Sequence, residues 1–198
     1  MITVLDVETT FVVAENKRSD PSPFCPENKL VSVQYSQNFQ KPEFVWFHHA
    51  KQNFNKIESS QKIQKILDST TLLVGHNIKF DLMWLLETGF TYNKKVYDTM
   101  LGEYMLLRGQ KWGISLADCC ARRNITLKKS ELVENYLKNG QGFDVIPMDI
   151  VEEYGKGDII STTELYREQQ RLFKKPSYYD LNKHLTLMND FLLVLTDI

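Results

Sequence analysis

Ile2-Thr3-Val4-Leu5-Asp6-Val7-Glu8-Thr9 opens on an apolar, β-branched run and closes on two carboxylates one residue apart. The run reads as a first strand over Ile2 to Leu5. In an extended chain, side chains two apart share a face, so Asp6 and Glu8 point the same way at the end of that strand. Two like charges held together are unfavourable unless a proton or a cation offsets them. A hard divalent cation bound through oxygen would do so.

Outward from this pair, the first half alternates strand-like and helix-like segments. Leu30 to Tyr35 and Phe44 to Phe47 read as strands, separated from the first by a polar segment with Pro21, Pro23 and Pro26 that reads as a loop. A helix is expected from about Ile57 to Leu67, a fourth strand at Leu72-Leu73-Val74, and a helix from Phe80 to Leu86. Val96-Tyr97 forms a short fifth strand, and Asp98 then suits a helix N-cap before the apolar run Met100 to Leu107. The second half reads as helical over about 116–123, 130–138 and 148–173, and from Tyr178 to the end, with Pro147 in the first turn of the third. Strands interleaved with and followed by helices predict an α/β fold with a mixed sheet.

The chain has 198 residues, 42% hydrophobic and 25% charged, which suits one globular domain or one domain with an appendage. No apolar stretch is long enough to span a membrane, and no secretory signal precedes the first strand. Three cysteines, two of them neighbours, suit a reduced cytoplasmic protein better than a disulfide scaffold. A net charge of −1 argues against coating nucleic acid along its length, but not against gripping a few nucleotides at one end. The basic pairs Lys94-Lys95, Arg122-Arg123, Lys128-Lys129 and Lys174-Lys175 read as solvated surface.

A site for two divalent ions needs about four carboxylates. A third candidate is Asp81, in Gly75-His76-Asn77-Ile78-Lys79-Phe80-Asp81, where a strand hands over to a helix; its bland reading is a complement to the helix dipole. The fourth is Asp158 in Tyr154-Gly155-Lys156-Gly157-Asp158. At four-residue spacing Tyr154 and Asp158 share a helix face. Gly155 and Gly157 each cost about 1 kcal/mol in a helix interior. Close packing or the approach of a ligand would explain them.

Asp6-Val7-Glu8-Thr9, Asn77-x-x-x-Asp81 and Tyr154-x-x-x-Asp158, in this order, resemble the three motifs of the DEDD (DnaQ-like) exonuclease superfamily, tyrosine branch. The sister branch carries a histidine five residues before the last Asp; here that position is Glu153. The chain most resembles the proofreading 3′–5′ exonuclease domain of bacteriophage-type family A DNA polymerases, over residues 1 to about 170, with Tyr97-Asp98-Thr99-Met100-Leu101 as a further similar segment. The resemblance implies a ribonuclease H-like fold: a mixed five-stranded sheet flanked by helices, with a helical C-terminal portion. It implies an exonuclease domain over residues 1–175, and a C-terminal helix over 176–198 that would lead into a polymerase region.

The same resemblance implies a catalytic set of Asp6, Glu8, Asp81, Tyr154 and Asp158. Asp6, Glu8 and Asp158 would hold one divalent cation, Asp6 would also touch a second, and Asp81 would contribute directly or through water. Magnesium is the expected ion, with manganese a substitute. Tyr154 would help aim the attacking water. Thr9, Thr10, Phe11, His76 and Asn77 are the expected substrate contacts, with Phe11 wedged against the last bases. Phe80 stands where a tyrosine is frequent. The expected substrate is the single-stranded or frayed 3′ end of DNA, cut to nucleoside 5′-monophosphates. A polymerase domain, in cis or in trans, is the expected partner, and the cytoplasm (the host's, if viral) the expected place. The alternatives are a stand-alone 3′–5′ exoribonuclease of the same superfamily and a non-catalytic nuclease-like domain that binds nucleic acid.

Overall fold

A computed structural model describes residues 1–13, 19–125 and 131–196. Five strands form the main sheet: β1 (Ile2–Thr9), β4 (Leu30–Gln37), β5 (Glu43–Trp46), β6 (Leu72–Gly75) and β7 (Lys95–Asp98). A two-stranded pair, β2 (Val12–Val13) with β3 (Ser19–Asp20), lies in the segment expected to be loop. The helices are α1 (Lys56–Ser69), α2 (Ile78–Glu87), α3 (Thr99–Leu107), α4 (Leu116–Arg123), α5 (Glu131–Lys138), α6 (Met148–Phe173) and α7 (Tyr179–Thr196), with a 3-10 turn at Pro176–Tyr178.

The main sheet has the order β5-β4-β1-β6-β7. β1 pairs antiparallel with β4 and parallel with β6; β4 pairs antiparallel with β5, and β6 parallel with β7. This is the mixed five-stranded sheet of a ribonuclease H-like fold, as expected. β1 sits at its centre, which explains why so few of its residues reach solvent.

Alternation sorts β1 between two cores. Leu5 and Val7 pack with Ile63 and Leu67 of α1 and Leu82 and Leu85 of α2. Val4 packs on the opposite face with Ile159 and Tyr166 of α6. Asp6 and Glu8 share the parity of Val4, so both carboxylates face α6. α7 packs on β7, α3 and α2. Leu185 and Leu192 of its apolar stripe are buried, and the Asn189 side chain accepts the Asp98 N–H at 3.1 Å.

Several boundaries differ from the sequence reading. β1 runs on to Thr9, because pairing with β4 continues past the last aliphatic residue to a register shift at Glu8/Thr9. The carboxylates therefore lie within the strand. α2 begins at Ile78, two residues early, and Pro147 occupies the N-cap of α6 instead of its first turn. α6 spans Met148–Phe173 as expected, despite two interior glycines. Two basic pairs are more than solvated surface. Lys94 donates to the Asp68 and Thr70 carbonyls at the end of α1, at 2.6 and 3.0 Å, while Arg122 and Arg123 pair with the buried Glu103. Lys128-Lys129 lies outside the described residues.

Candidate active site

The long antiparallel register of β1 on β4 builds one side of the site. It places Asp6 opposite Gln34 and Glu8 opposite Ser32. α6 crosses the same face and brings Asp158 to them. Asp6, Glu8 and Asp158 each offer a carboxylate oxygen, and these three atoms lie within 4.8 Å of one another. Asp81 is fixed separately. β1 pairs with β6 only as far as Val4, so the backbone beyond lacks a strand partner on that side. The Val7 N–H donates to Asp81 Oδ1 at 3.0 Å instead. Asp81 is buried beside the trio, within reach of the Asp6 and Glu8 charges.

Among the described residues, no lysine or arginine forms an ion pair with any of these four carboxylates. Burial, followed by the Asp158 charge, pushes the Asp6 carboxyl up to about 7, against the pull of the Gln34 hydrogen bond. Burial pushes Asp158 up to about 6, and the Tyr154 hydroxyl pulls it back. Burial and the charges of Asp6, Asp158 and Asp81 hold Glu8 well above the carboxylate range. Burial and the Asp6 charge do the same to Asp81. Clustered oxygen ligands, buried at Glu8 and Asp81 and half-buried at Asp6 and Asp158, without a counter-charge from the described residues are a donor set that a hard divalent cation fits.

Tyr154 stands one turn before Asp158 on α6, its ring 5.8 Å from that of Phe143. Burial, with the charges of Glu8, Asp158 and Asp6, raises its phenol above the ordinary value, so near neutral pH the O–H stays a donor.

A cleft of about 520 Å³ opens over Glu8, lined by Thr9, Phe11, Phe80, Leu137 and Phe143 among others. Three of the expected substrate contacts, Thr10, His76 and Asn77, lie outside the lining of that cleft. Thr10 Oγ1 accepts the Lys29 N–H at 2.7 Å, tying the strand end to β4. His76 contacts the Thr99 hydroxyl through Nδ1 at 2.9 Å and the Ile114 carbonyl through Nε2 at 3.0 Å. Burial lowers its pKa to about 4, so the ring is neutral, with Nε2–H donating to Ile114. Neither nitrogen is left for a substrate; His76 ties the α2 entry to the segment before α4. Asn77 takes the left-handed conformation at the α2 N-cap, with φ 61°. The residue lines a separate cavity of about 220 Å³ between α2, α3 and α7.

Two features escaped the sequence reading. The cleft wall from Leu137 to Phe143 is distant in sequence from every motif. Gln34 carried a signal: Ser32, Gln34 and Ser36 are polar residues at successive two-residue steps in β4, which marks one polar face.

The fold and the carboxylate cluster together define a nuclease-like domain of the ribonuclease H type. The 3′–5′ exonuclease family profile matches residues 17–173, and the chain belongs to that family. The match includes Asp81, Tyr154 and Asp158; Asp6 and Glu8 precede it and join the site through the geometry above. Solved structures share the fold. Brucella melitensis NrnC with bound Mg2+ superposes with a TM-score of 0.66 at 15% identity, covering 99% of this chain and 83% of that one. The same protein has been solved bound to pGG, with a TM-score of 0.66 at 16% identity over the same shares. The catalytic core of RRP6 from Trypanosoma brucei gives 0.63 at 15% identity, over 97% of this chain and 45% of that one. Escherichia coli RNase D, an exoribonuclease involved in structured RNA processing, gives 0.52 at 17% identity, over 96% and 45%. A search of curated protein sequences finds no match. No described helix is long and apolar enough to cross a membrane.

Proposed function

We propose that this chain is a two-metal-ion 3′–5′ exodeoxyribonuclease that hydrolyses the terminal phosphodiester of single-stranded or frayed DNA ends and releases nucleoside 5′-monophosphates. The observation that carries the reading is the trio Asp6, Glu8 and Asp158, with ligand atoms within 4.8 Å and no cation among the described residues paired to them. These three residues would hold the ions, with Asp81 beside them. When bound, divalent cations activate a water for in-line attack and stabilise the leaving 3′ oxygen. Tyr154, protonated and hydrogen-bonded to Asp158 one turn on, would help to orient the attacking water. Thr9 and Phe11 line the cleft beside Glu8 and receive the terminal nucleotide. Packing of Phe11, Phe80 and Phe143 on a base face is indifferent to sequence, so frayed ends are chosen by their freedom to enter. Asn77 lies outside this cleft's lining.

The family profile carries the name of the family A DNA polymerase exonuclease, which supports DNA as substrate and proofreading beside a polymerase domain, in cis or in trans, as the role. The three free cysteines, two of them buried, suit the reducing cytoplasm. DNA and RNA oligomers of identical sequence, labelled at the 5′ end and incubated with Mg2+ or with a chelator, test the reading. We expect metal-dependent shortening from the 3′ end with DNA degraded faster, and mononucleotide product. Faster RNA degradation replaces the reading by an exoribonuclease. Absence of cleavage with Mg2+ and Mn2+ replaces it by a non-catalytic binding domain.

A further inference from the structure

Gln34 is fully buried on β4, directly across from Asp6. Its single amide nitrogen donates to both members of the carboxylate pair: to Asp6 Oδ2 at 2.5 Å and to Glu8 Oε1 at 3.2 Å. An amide nitrogen carries two hydrogens, so the donor capacity is fully used, one hydrogen per carboxylate. Its oxygen is held in turn by the Ser32 hydroxyl at 3.2 Å, which fixes the amide's orientation. Ser32 faces Glu8 in the same register, so the bracket spans two successive cross-strand pairs.

Gly155 belongs to this arrangement. A Cβ added there would stand 2.9 Å from Gln34 Cδ, 3.0 Å from its Nε2 and 3.0 Å from Phe44 Cε2. α6 can cross β4 this closely only because residue 155 has no side chain. Tyr154 is its neighbour, and Asp158 follows within one turn.

We propose that Gln34 is a positioning residue for the metal site, a neutral bracket that fixes the spacing and orientation of Asp6 and Glu8, and that Gly155 is glycine to make room for it. The inference rests on the exonuclease reading and names a residue outside the three motifs. The choice of side chain follows from charge. A lysine or arginine here would satisfy both carboxylates, but its full charge would compete with a divalent cation. A leucine would leave the buried Glu8 and the half-buried Asp6 without that donor, free to turn apart or to take up protons. An amide orients both while leaving their negative charge for the ion. Each carboxylate keeps its second oxygen, Asp6 Oδ1 and Glu8 Oε2, without another hydrogen bond from the described residues.

The test is direct Mn2+ binding, by paramagnetic resonance or calorimetry without substrate, on wild-type protein and on Gln34→Met and Gln34→Leu. Both variants keep the volume and remove the donors. Circular dichroism confirms the folded fraction of each. Losing a partner of a ligating carboxylate weakens metal affinity by about 10–100-fold. We expect that loss in both variants, with the metal concentration for half-maximal hydrolysis raised by the same factor and turnover largely recovered at saturating metal. Unchanged Mn2+ affinity in a folded variant overturns the role of Gln34. For Gly155, the comparison is Gly155→Ala alone and with Gln34→Ala. The alanine should weaken Mn2+ binding in the wild-type background and much less once Gln34 is truncated, and strictly additive effects overturn that part. Failure of the underlying reading looks different: wild-type protein itself would then neither bind Mn2+ nor shorten DNA.

Discussion

Two corners of this molecule bury carboxylates, and they treat them in opposite ways. Between α3 and α4, Glu103 is fully buried and met by counter-charge: Arg122 Nη1 and Arg123 Nη2 reach Oε1 at 2.8 and 2.9 Å, and Arg123 Nε reaches Oε2 at 3.2 Å. Between β1 and α6, Asp6, Glu8 and Asp158 meet one another, the Gln34 amide and the Tyr154 hydroxyl, both neutral donors. Both corners seat a fully buried glutamine beside the acids and a glycine that admits it: Gln169 with Gly102, and Gln34 with Gly155. The difference is the cation. A buried charge that is paired within the chain serves the fold. Buried like charges without a protein cation work against the fold until something from solution joins them, and that marks a site for chemistry.

Four experiments break or sharpen this contrast. The largest effect is expected from Asp158→Ala and Asp6→Ala. A metal site contributes several kcal/mol to the transition state, so each change should lower metal-dependent hydrolysis by about 10³-fold or more. The melting temperature of the metal-free protein should hold or rise, because a repelling charge is gone. Wild-type turnover in either variant would dissolve the contrast from the catalytic side. Glu103→Ala should do the reverse. Removing one partner of a buried ion pair costs about 3–5 kcal/mol, so chemical denaturation should show a loss of that order, while hydrolysis per folded molecule is retained. A stability change near zero would mean that the arginines serve something other than the fold.

The third experiment varies pH. The carboxyls of Asp6 and Asp158 are raised from 3.8 to about 7 and about 6, so the native state favours their protonated forms. Below the unfolded value both states are protonated and nothing is lost. As pH rises from about 4 to 7 the native state binds more protons than the unfolded one, and stability falls. The melting temperature of metal-free protein should therefore drop across that window relative to Asp158→Asn, whose curve is flatter. Saturating Mg2+ should raise it more at pH 8 than at pH 5, and a pH-independent shift would contradict the electrostatic account. The smallest effect is expected from Tyr154→Phe. It removes one hydrogen bond, worth about 1–1.5 kcal/mol, so single-turnover hydrolysis at saturating metal should slow on the order of tenfold. Complete loss would promote Tyr154 from orienting the water to an obligatory proton carrier.

Much of this was legible without coordinates where the signal is local and periodic. Period two put Asp6 and Glu8 on one face, and they do face α6 together. The four-residue step put Tyr154 and Asp158 on one side of a helix that runs from Met148 to Phe173 as expected. Aliphatic runs located the main strands, but missed that β1 continues through its acidic residues, because cross-strand pairing there overrides composition. The surroundings of the expected substrate contacts were not legible. His76 and Thr10 stand beside motif residues, yet both His76 nitrogens are engaged by Ile114 and Thr99 and Thr10 Oγ1 accepts from Lys29, partners set by tertiary closure.

By itself, then, the sequence determined the elements, the sharing of faces and the residue types that a divalent cation requires, all consequences of backbone geometry over a few residues. Only the tertiary structure decided which carboxylates converge, which acid receives arginines and which does not, and why residue 155 has no side chain. Each of those depends on the register of β4 against β1 and on how closely α6 crosses them. Such distances between segments more than 20 residues apart are fixed by packing, which no local pattern encodes.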